Sequence, residues 1–128
     1  MTKIESKIIS LEKAITGLGE SIEKYKERPE EKAFFRDSAI QRFEMCFDLA
    51  WKTLKEYLLE NKGVSCVSPK TCFREAFLNG IFPQDNGSWM QMTDDRNLMS
   101  HIYDESEAEK IFQKLSEYLI LFKELLAE

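Results

Sequence analysis

Apolar residues recur at alternating spacings of four and three along much of this chain, which is the period of an amphipathic helix. In the first stretch the apolar line consists of Ile4, Ile8, Leu11, Ile15, Leu18, Ile22 and Tyr25. A second stretch, from about Glu30 to Asn61, has a wider apolar stripe. It consists of Ile40, Phe43, Phe47, Ala50, Leu54 and Tyr57 or Leu58, broadened by Phe34, Phe35 and Trp51. The spacing predicts two long helices, the second of which contacts more than one neighbour.

Residues that favour helix ends lie where these patterns stop. Arg28-Pro29 should end the first helix, because the residue before a proline is disfavoured in helical geometry. Lys62-Gly63 is a suitable end for the second helix. A short third helix is expected to begin at Ser68-Pro69 and to end at Asn79-Gly80.

Two further helices complete the predicted fold. The fourth is expected to open at Ser88, with Gln91 as a capping-box partner, and to continue through Tyr103. After residues 104–107 the last helix shows Ile111, Leu115, Tyr118 or Leu119, Phe122 and Leu125 or Leu126. Long or medium helices with short connections predict an all-α, antiparallel up-and-down four-helix bundle with an additional short helix. Residues 1–128 are expected to form a single domain.

The net charge limits how the protein can contact nucleic acid. The chain has 128 residues and a formal net charge of −5 at pH 7. A free-standing nucleic-acid-binding protein is normally basic, because lysine and arginine neutralise phosphates. Contact with RNA must therefore be local or be completed by a second subunit. Alternatively, the acidic surface only aids solubility.

Cysteine usage and the amino terminus indicate the compartment. The cysteines Cys46, Cys66 and Cys72 lack the spacing of a metal site. Cys46 lies in an apolar helical run and is predicted to be a small core residue, and a disulfide scaffold is not expected. The amino terminus does not resemble a signal peptide, and no apolar run approaches the length of a membrane span. The sequence predicts a soluble, cytoplasmic protein that does not contact a membrane.

The residues with the clearest chemical potential lie between positions 96 and 103. His101, the single histidine of the chain, follows Arg96 by five residues and precedes Tyr103 by two. A histidine side chain, with an ordinary pKa of about 6.5, can give or take a proton near neutral pH. Arginine offers a planar set of donors suited to phosphate. The combination indicates phosphodiester chemistry or nucleotide recognition.

Helix geometry limits what this segment can do alone. In a continuous fourth helix, Asp94, Asn97 and His101 would share one face, and Arg96 and His101 would lie about 140° apart. One helix could not enclose a phosphate with that arrangement. Two copies of the chain related by a twofold axis could each contribute an Arg–His pair to a common cleft.

Each residue of the segment has a specific place in this hypothesis. His101 would act as a general base on a ribose 2′-hydroxyl, or as an acid on the leaving oxygen, without a metal. Arg96 would hold the phosphate and stabilise charge that develops in the transition state. Asn97 could orient the imidazole, Asp94 could fix its tautomer, and Tyr103 could be a contact or a modification target. The predicted nucleotide- or substrate-binding residues are Asn97, Asp94 and Ser100.

These features also have structural interpretations. A lone helical histidine near an arginine is more often part of a solvated or capping pair, and the helix dipole would favour a cationic His101 in the last turn. Met90, Met92 and Met99 fit core or interface positions better than a cofactor site. Trp89 fits an anchoring position better than a base-stacking platform. One histidine and scattered carboxylates supply no closed metal-ligand set, and no cofactor is expected.

The motif Arg-Asn-x-x-x-His-x-Tyr, late in a small, acidic, all-helical chain, resembles the HEPN (higher eukaryote and prokaryote nucleotide-binding) superfamily. Within it, the chain resembles the nucleotidyltransferase substrate-binding proteins, which are partners of minimal nucleotidyltransferases. The resemblance covers nearly the whole chain. It is carried by residues 42–52, 68–70, 74–77, 89–92, 95–97 and 101–105.

The resemblance implies a helical bundle, a homodimer and a partner subunit that carries the nucleotidyltransferase active site. In related two-component systems the HEPN member is a metal-independent ribonuclease toxin, whose arginine and histidine match Arg96 and His101. The antitoxin nucleotidyltransferase adenylylates the tyrosine that matches Tyr103. Here Asp94 and Asp95 directly precede Arg96, and the chain is acidic, which disfavours RNA binding by the isolated chain.

Three functional hypotheses follow. In the first, the chain binds a nucleotidyltransferase subunit and helps bind or present its nucleotide or substrate. In the second, it is a metal-independent ribonuclease toxin that adenylylation of Tyr103 neutralises. In the third, it is a purely structural helical interaction protein with an inert motif.

Overall fold

The computed structural model describes residues 1–82, 87–101 and 104–127, and helices dominate all three ranges. The α-helices are α1 (Lys3–Glu27), α2 (Lys32–Lys62), α3 (Pro69–Leu78), α4 (Ser88–Leu98), α5 (Glu105–Phe112) and α6 (Leu115–Ala127). Short 3₁₀ helices cover Pro29–Glu31 and Met99–His101. None of the described residues lies in a β-strand, so the predicted all-α class is confirmed. Among them, no helix combines the length and hydrophobicity needed to cross a bilayer.

Contacts between the first two helices show that they are antiparallel. Near the start of α1, Lys3 Nζ lies 3.7 Å from Glu56 Oε1, close to the end of α2. Near the end of α1, the hydroxyl oxygens of Ser21 and Ser38 lie 3.2 Å apart. The amino-terminal half of α1 therefore packs against the carboxyl-terminal half of α2, as an up-and-down bundle requires.

The second half of the chain continues this alternation. The rings of Trp89, at the start of α4, and Phe122, late in α6, have centroids 5.8 Å apart. The Tyr118 hydroxyl, one turn earlier in α6, donates to Asp95, further along α4. Helices α4 and α6 are therefore antiparallel, in agreement with the predicted bundle.

Aromatic rings fill the centre of the bundle. Phe43 stacks on Tyr118 with centroids 5.5 Å apart, and it also contacts Phe47 and Phe122 at 6.4 and 5.9 Å. Cys46 is completely buried in the same cluster, as predicted, and burial raises the pKa of its thiol to about 12. The apolar stripe of α2 thus forms the centre of the hydrophobic core.

Most predicted helix ends are confirmed. Helix α1 ends at Glu27, directly before Arg28-Pro29. Helix α2 ends at Lys62, and the following Gly63 caps it with a φ of 66°, in the left-handed region that glycine adopts without a steric penalty. The Ser68 side chain accepts from the Thr71 backbone N–H at the start of α3, and the Thr71 hydroxyl oxygen accepts in return from the Ser68 backbone N–H.

The predicted extent of the fourth helix is wrong. Helix α4 begins at Ser88 as expected, but it ends at Leu98 and a 3₁₀ turn carries the chain to His101. The Ser100 hydroxyl donates to the Asn97 carbonyl oxygen at 3.2 Å, a local bond that competes with α-helical pairing. The Gln91 side chain also departs from its predicted capping position, since it donates to Asp95.

The last predicted helix is divided into two. Helix α5 ends at Phe112, and α6 begins at Leu115. At the start of α5, Asp104 caps the helix by accepting from the Glu107 backbone N–H at 2.8 Å. The two helices pack against different neighbours. Phe112 of α5 contacts Tyr25 of α1, whereas Tyr118 of α6 contacts Phe43 of α2.

A disulfide joins Cys66 and Cys72, contrary to the expectation from the sequence. Cys66 lies two residues before the Ser68 cap, and Cys72 lies one turn inside α3, so the entry turn of the helix brings the two Cα atoms to 5.2 Å. Both cysteines are buried in a small cluster with Leu58 of α2. The disulfide therefore lies where α3 packs against the end of α2.

Candidate functional site

A buried carboxylate fixes the rotation of α4. Asp95 is only 2% exposed and accepts hydrogen bonds from the Tyr118 hydroxyl, from Lys114 Nζ at 3.4 Å and from Gln91 Nε2 at 3.2 Å. Lys114 Nζ also lies 3.3 Å from the second carboxylate oxygen. A buried carboxylate is costly unless it is paired and hydrogen-bonded, and Asp95 is both. The network attaches α4 to the beginning of α6.

Because of the same network, the free energy of unfolding should depend on pH in the alkaline range. Burial, and then the hydrogen bond to Asp95, raises the pKa of Tyr118 above the ordinary value of 10.0. From about pH 10 upward the unfolded state loses this proton while the folded state keeps it, so the free energy of unfolding should fall as pH rises. Tyr118→Phe should remove up to about 1.4 kcal/mol per pH unit from this slope. Denaturant titrations at pH 9 to 11 would measure it.

A matched variant controls the alkaline experiment. Tyr57→Phe removes a hydroxyl from an exposed ring, so its stability profile should run parallel to that of the unmodified protein. Equal alkaline slopes for the Tyr118→Phe variant and the unmodified protein would contradict the expected linkage.

Arg96 follows Asp95 and lies between α4 and α2. Its Nη2 atom lies 3.7 Å from Asp48 Oδ1, and the side chains of Arg96 and Asp48 are 30% and 44% exposed. Ion pairs as exposed as this one are weak. Within the described residues, the guanidinium has no other ion pair and no hydrogen bond. The Arg96 guanidinium thus lies beside Asp48, and its donors stay available to an anion from solution.

Asp94 points to a different neighbour. Its Oδ1 atom lies 2.7 Å from Lys70 Nζ, at the first turn of α3. No hydrogen bond or ion pair joins Asp94 to His101, although both residues are described. In the single chain, therefore, no contact between the described Asp94 and His101 side chains supports the predicted action of Asp94 on the histidine tautomer.

The remaining predicted residues face solvent. Asn97, Ser100 and His101 are all exposed, and His101 ends the 3₁₀ turn. The angle of about 140° between Arg96 and His101 assumed a continuous α-helix, so it does not apply to this turn. Tyr103, the predicted modification target, lies outside the described residues. The structure thus gathers Arg96, Asn97 and His101 along one short segment without enclosing them.

Two acidic residues without a predicted structural role are structurally important here. Asp48 is the ion-pair partner of Arg96, and Asp95 anchors the helix that carries it. The spacing of Met92, Asp95 and Met99 could have predicted the burial of Asp95. Both methionines are buried, and Asp95 lies between them on the same helix face at steps of three and four. Over the described ranges, no group of three or more His, Cys, Asp or Glu side chains is placed to hold a metal ion.

The structure is a small all-helical bundle in which the Arg96–His101 segment lies at the end of α4, with Arg96 half-buried and His101 exposed. A family model described as "Nucleotidyltransferase substrate binding protein like" matches residues 6–128. The chain belongs to this family.

Solved structures of similar proteins agree with the family assignment. A crystal structure of a Thermus thermophilus protein has a TM-score of 0.81 and 36% sequence identity, with 91% of this chain and 96% of that one covered. A Haemophilus influenzae structure, described as the fold of a substrate binding domain of a nucleotidyltransferase, has a TM-score of 0.70 and 25% identity. That similarity covers 97% of this chain and 94% of the other.

A curated relative adds an enzymatic description. The Haemophilus influenzae protein named "Probable ribonuclease HepT" is 30% identical over 86 residues, which is 64% of this chain. The match covers 58% of the length of that relative.

Proposed function

We propose that this protein is the helical HEPN subunit of a two-component minimal nucleotidyltransferase system. It binds a separate nucleotidyltransferase subunit and helps bind or present the nucleotide or substrate of that enzyme in the cytoplasm. The observation that carries the proposal is the family match over residues 6–128. The solved substrate binding domain with 97% coverage of this chain supports it.

The local geometry supports a phosphate contact completed by another subunit. Arg96 keeps free donors, and His101 and Asn97 are exposed beside it. A single arginine on an acidic chain gives little affinity for a polyanion, because each neutralised phosphate contributes separately. A homodimer would bring a second Arg96 and a second His101 to the same cleft, and the nucleotidyltransferase would supply the remaining contacts.

The relative named as a probable ribonuclease favours a second candidate function. In this alternative, His101 moves the proton in RNA cleavage and Arg96 stabilises the charge on the phosphate, without a metal. Adenylylation of Tyr103 by the partner would then neutralise the activity. The exposure of His101 is compatible with this chemistry, since the imidazole can reach a substrate without rearrangement of the fold.

Co-expression with a nucleotidyltransferase encoded in the same genome tests both candidates. A stable complex is expected on copurification, whereas failure to bind any such subunit would reject the first proposal. The intact mass of the copurified chain then separates the two. A gain of one or more AMP units that Tyr103→Phe abolishes would support the modified toxin, and an unmodified mass within a stable complex would support the substrate-binding subunit.

A further inference from the structure

A cavity lies away from the Arg96 segment. It has a volume of about 240 Å³ and lies between the first half of α1, the last third of α2, the turn after α3 and the end of α6. Its apolar lining consists of Ile4, Ile8, Leu11, Leu54, Ile81, Leu125 and Leu126. Neither Arg96 nor any other residue of α4 contributes to it.

The floor of the cavity is already formed in the folded chain. Leu11 and Leu54 are 0% and 3% exposed, so the base is part of the hydrophobic core. The turn that closes one side is held by the Ile81 backbone N–H, which donates to the Ala76 carbonyl oxygen at 2.9 Å. A ligand would therefore find a preformed apolar surface and would not have to order it, which favours binding.

The lining also includes polar side chains, of which Thr53 is buried and Asn79 is half-buried. The Thr53 hydroxyl donates to the Leu49 carbonyl oxygen, and the Asn79 amide donates to Glu75. Tyr57 and Lys62 are exposed, and their side-chain polar atoms have no hydrogen bond or ion pair within the part of the chain that the structure describes. The free donors of the lining are therefore one phenol hydroxyl and one ammonium group.

The charge of the lining residues indicates which kind of ligand would match the cavity. Lys62 is the sole charged residue among the described lining residues, and no carboxylate opposes it. The nearby Glu56 pairs with Lys3 at 3.7 Å. A dianionic phosphate is normally held by several donors or by an arginine fork, whereas one ammonium group matches one carboxylate.

From these observations we infer that the cavity is a binding site for a small amphipathic carboxylate, such as a medium-chain fatty acid. The hydrocarbon body lies on the leucine and isoleucine side chains, and the carboxylate meets Lys62 and the Tyr57 hydroxyl at the edge. The volume is below the roughly 300–1,000 Å³ of pockets for drug-sized ligands, which restricts the site to a short chain. The inference is independent of the nucleotidyltransferase partnership.

Calorimetric titration of the full chain with octanoate tests the site, with 1-octanol as the uncharged probe. Octanoate should bind more tightly than 1-octanol, and Lys62→Met should weaken octanoate binding roughly tenfold while leaving 1-octanol unchanged. Ile8→Trp, which fills the cavity, should abolish the binding of both probes. Amide resonances of Gly80 and Ile81 should shift on addition of octanoate to the unmodified protein.

Three outcomes would overturn the inference. They are absence of octanoate binding, equal affinity for the two probes, and an octanoate affinity that Lys62→Met does not change. Lys62 is exposed, so its substitution tests the site even if the Ile8→Trp variant does not fold. Loss of a nucleotidyltransferase complex in the Ile8→Trp variant, without octanoate binding to the unmodified protein, would instead show that a protein covers the cavity.

Discussion

Asp95→Ala should lower the free energy of unfolding by about 2–4 kcal/mol. The substitution leaves the hydroxyl of the buried Tyr118 without its acceptor and removes the partner of Lys114. It also removes one of the contacts between α4 and α6, while the Trp89–Phe122 ring contact stays. A loss of this size is a large part of the roughly 5–15 kcal/mol that stabilises an ordinary domain. Urea denaturation monitored by circular dichroism would measure it.

The neighbouring residue provides a matched control for this experiment. Asp94→Ala removes an identical side chain one position away, but its carboxylate is 52% exposed and pairs only with the exposed Lys70. The expected loss is below about 1 kcal/mol, as for other surface ion pairs. Asp95→Asn should fall between the two variants, because the amide oxygen can still accept from Tyr118. Equal losses for Asp94→Ala and Asp95→Ala would show that the buried network does not hold α4.

His101→Ala should lower RNA cleavage by the unmodified protein about 100- to 10,000-fold if the ribonuclease function is present. The imidazole is the only side chain of the segment able to transfer a proton near neutral pH, so its removal leaves no substitute. Arg96→Ala should also lower the rate of RNA cleavage, because the charge on the phosphate is no longer stabilised. Cleavage of a fluorescent RNA by purified variants, together with growth after induction, provides the measurement.

Measuring the stability of each variant distinguishes the loss of a catalytic group from the loss of the folded structure. His101 is exposed, so His101→Ala should change the free energy of unfolding by no more than about 0.5 kcal/mol. Lys70→Ala removes a different cation near the same helix and should leave cleavage unchanged. If the His101→Ala variant cleaves RNA as fast as the unmodified protein, the ribonuclease hypothesis is rejected, and the substrate-binding proposal is unaffected.

Local spacing was sufficient to predict most of the helical framework. The four–three pattern identified α1 and α2, and it put Leu11, Phe43 and Phe47 in the core, where they are found. Helix ends at Arg28-Pro29 and Ser68-Pro69 followed from the backbone restrictions of proline and the capping ability of serine. These features depend on interactions within a few residues, which a sequence displays directly.

The end of α4 was not predictable in the same way. The pattern from Trp89 to Tyr103 is compatible with one continuous helix, but the chain leaves the α-helical conformation after Leu98 and buries Met99. The disulfide was also not predicted, although Cys66 and Cys72 are only six positions apart and the entry turn of α3 brings their Cα atoms to 5.2 Å. In both cases the contact is local in sequence, but the four–three spacing of apolar residues does not display it.

The sequence by itself determined most of the helices and much of the core, and it located the Arg96–His101 segment as the candidate site. Only the tertiary structure decided that Asp95 is buried while Asp94 is exposed, and that Arg96 pairs with Asp48. Spacing fixes the angle between two side chains on one helix, but the rotation of that helix against its neighbours depends on residues far away in the chain. Tyr118 and Lys114 hold Asp95 inward, and this contact determines which neighbouring side chains remain available to a ligand.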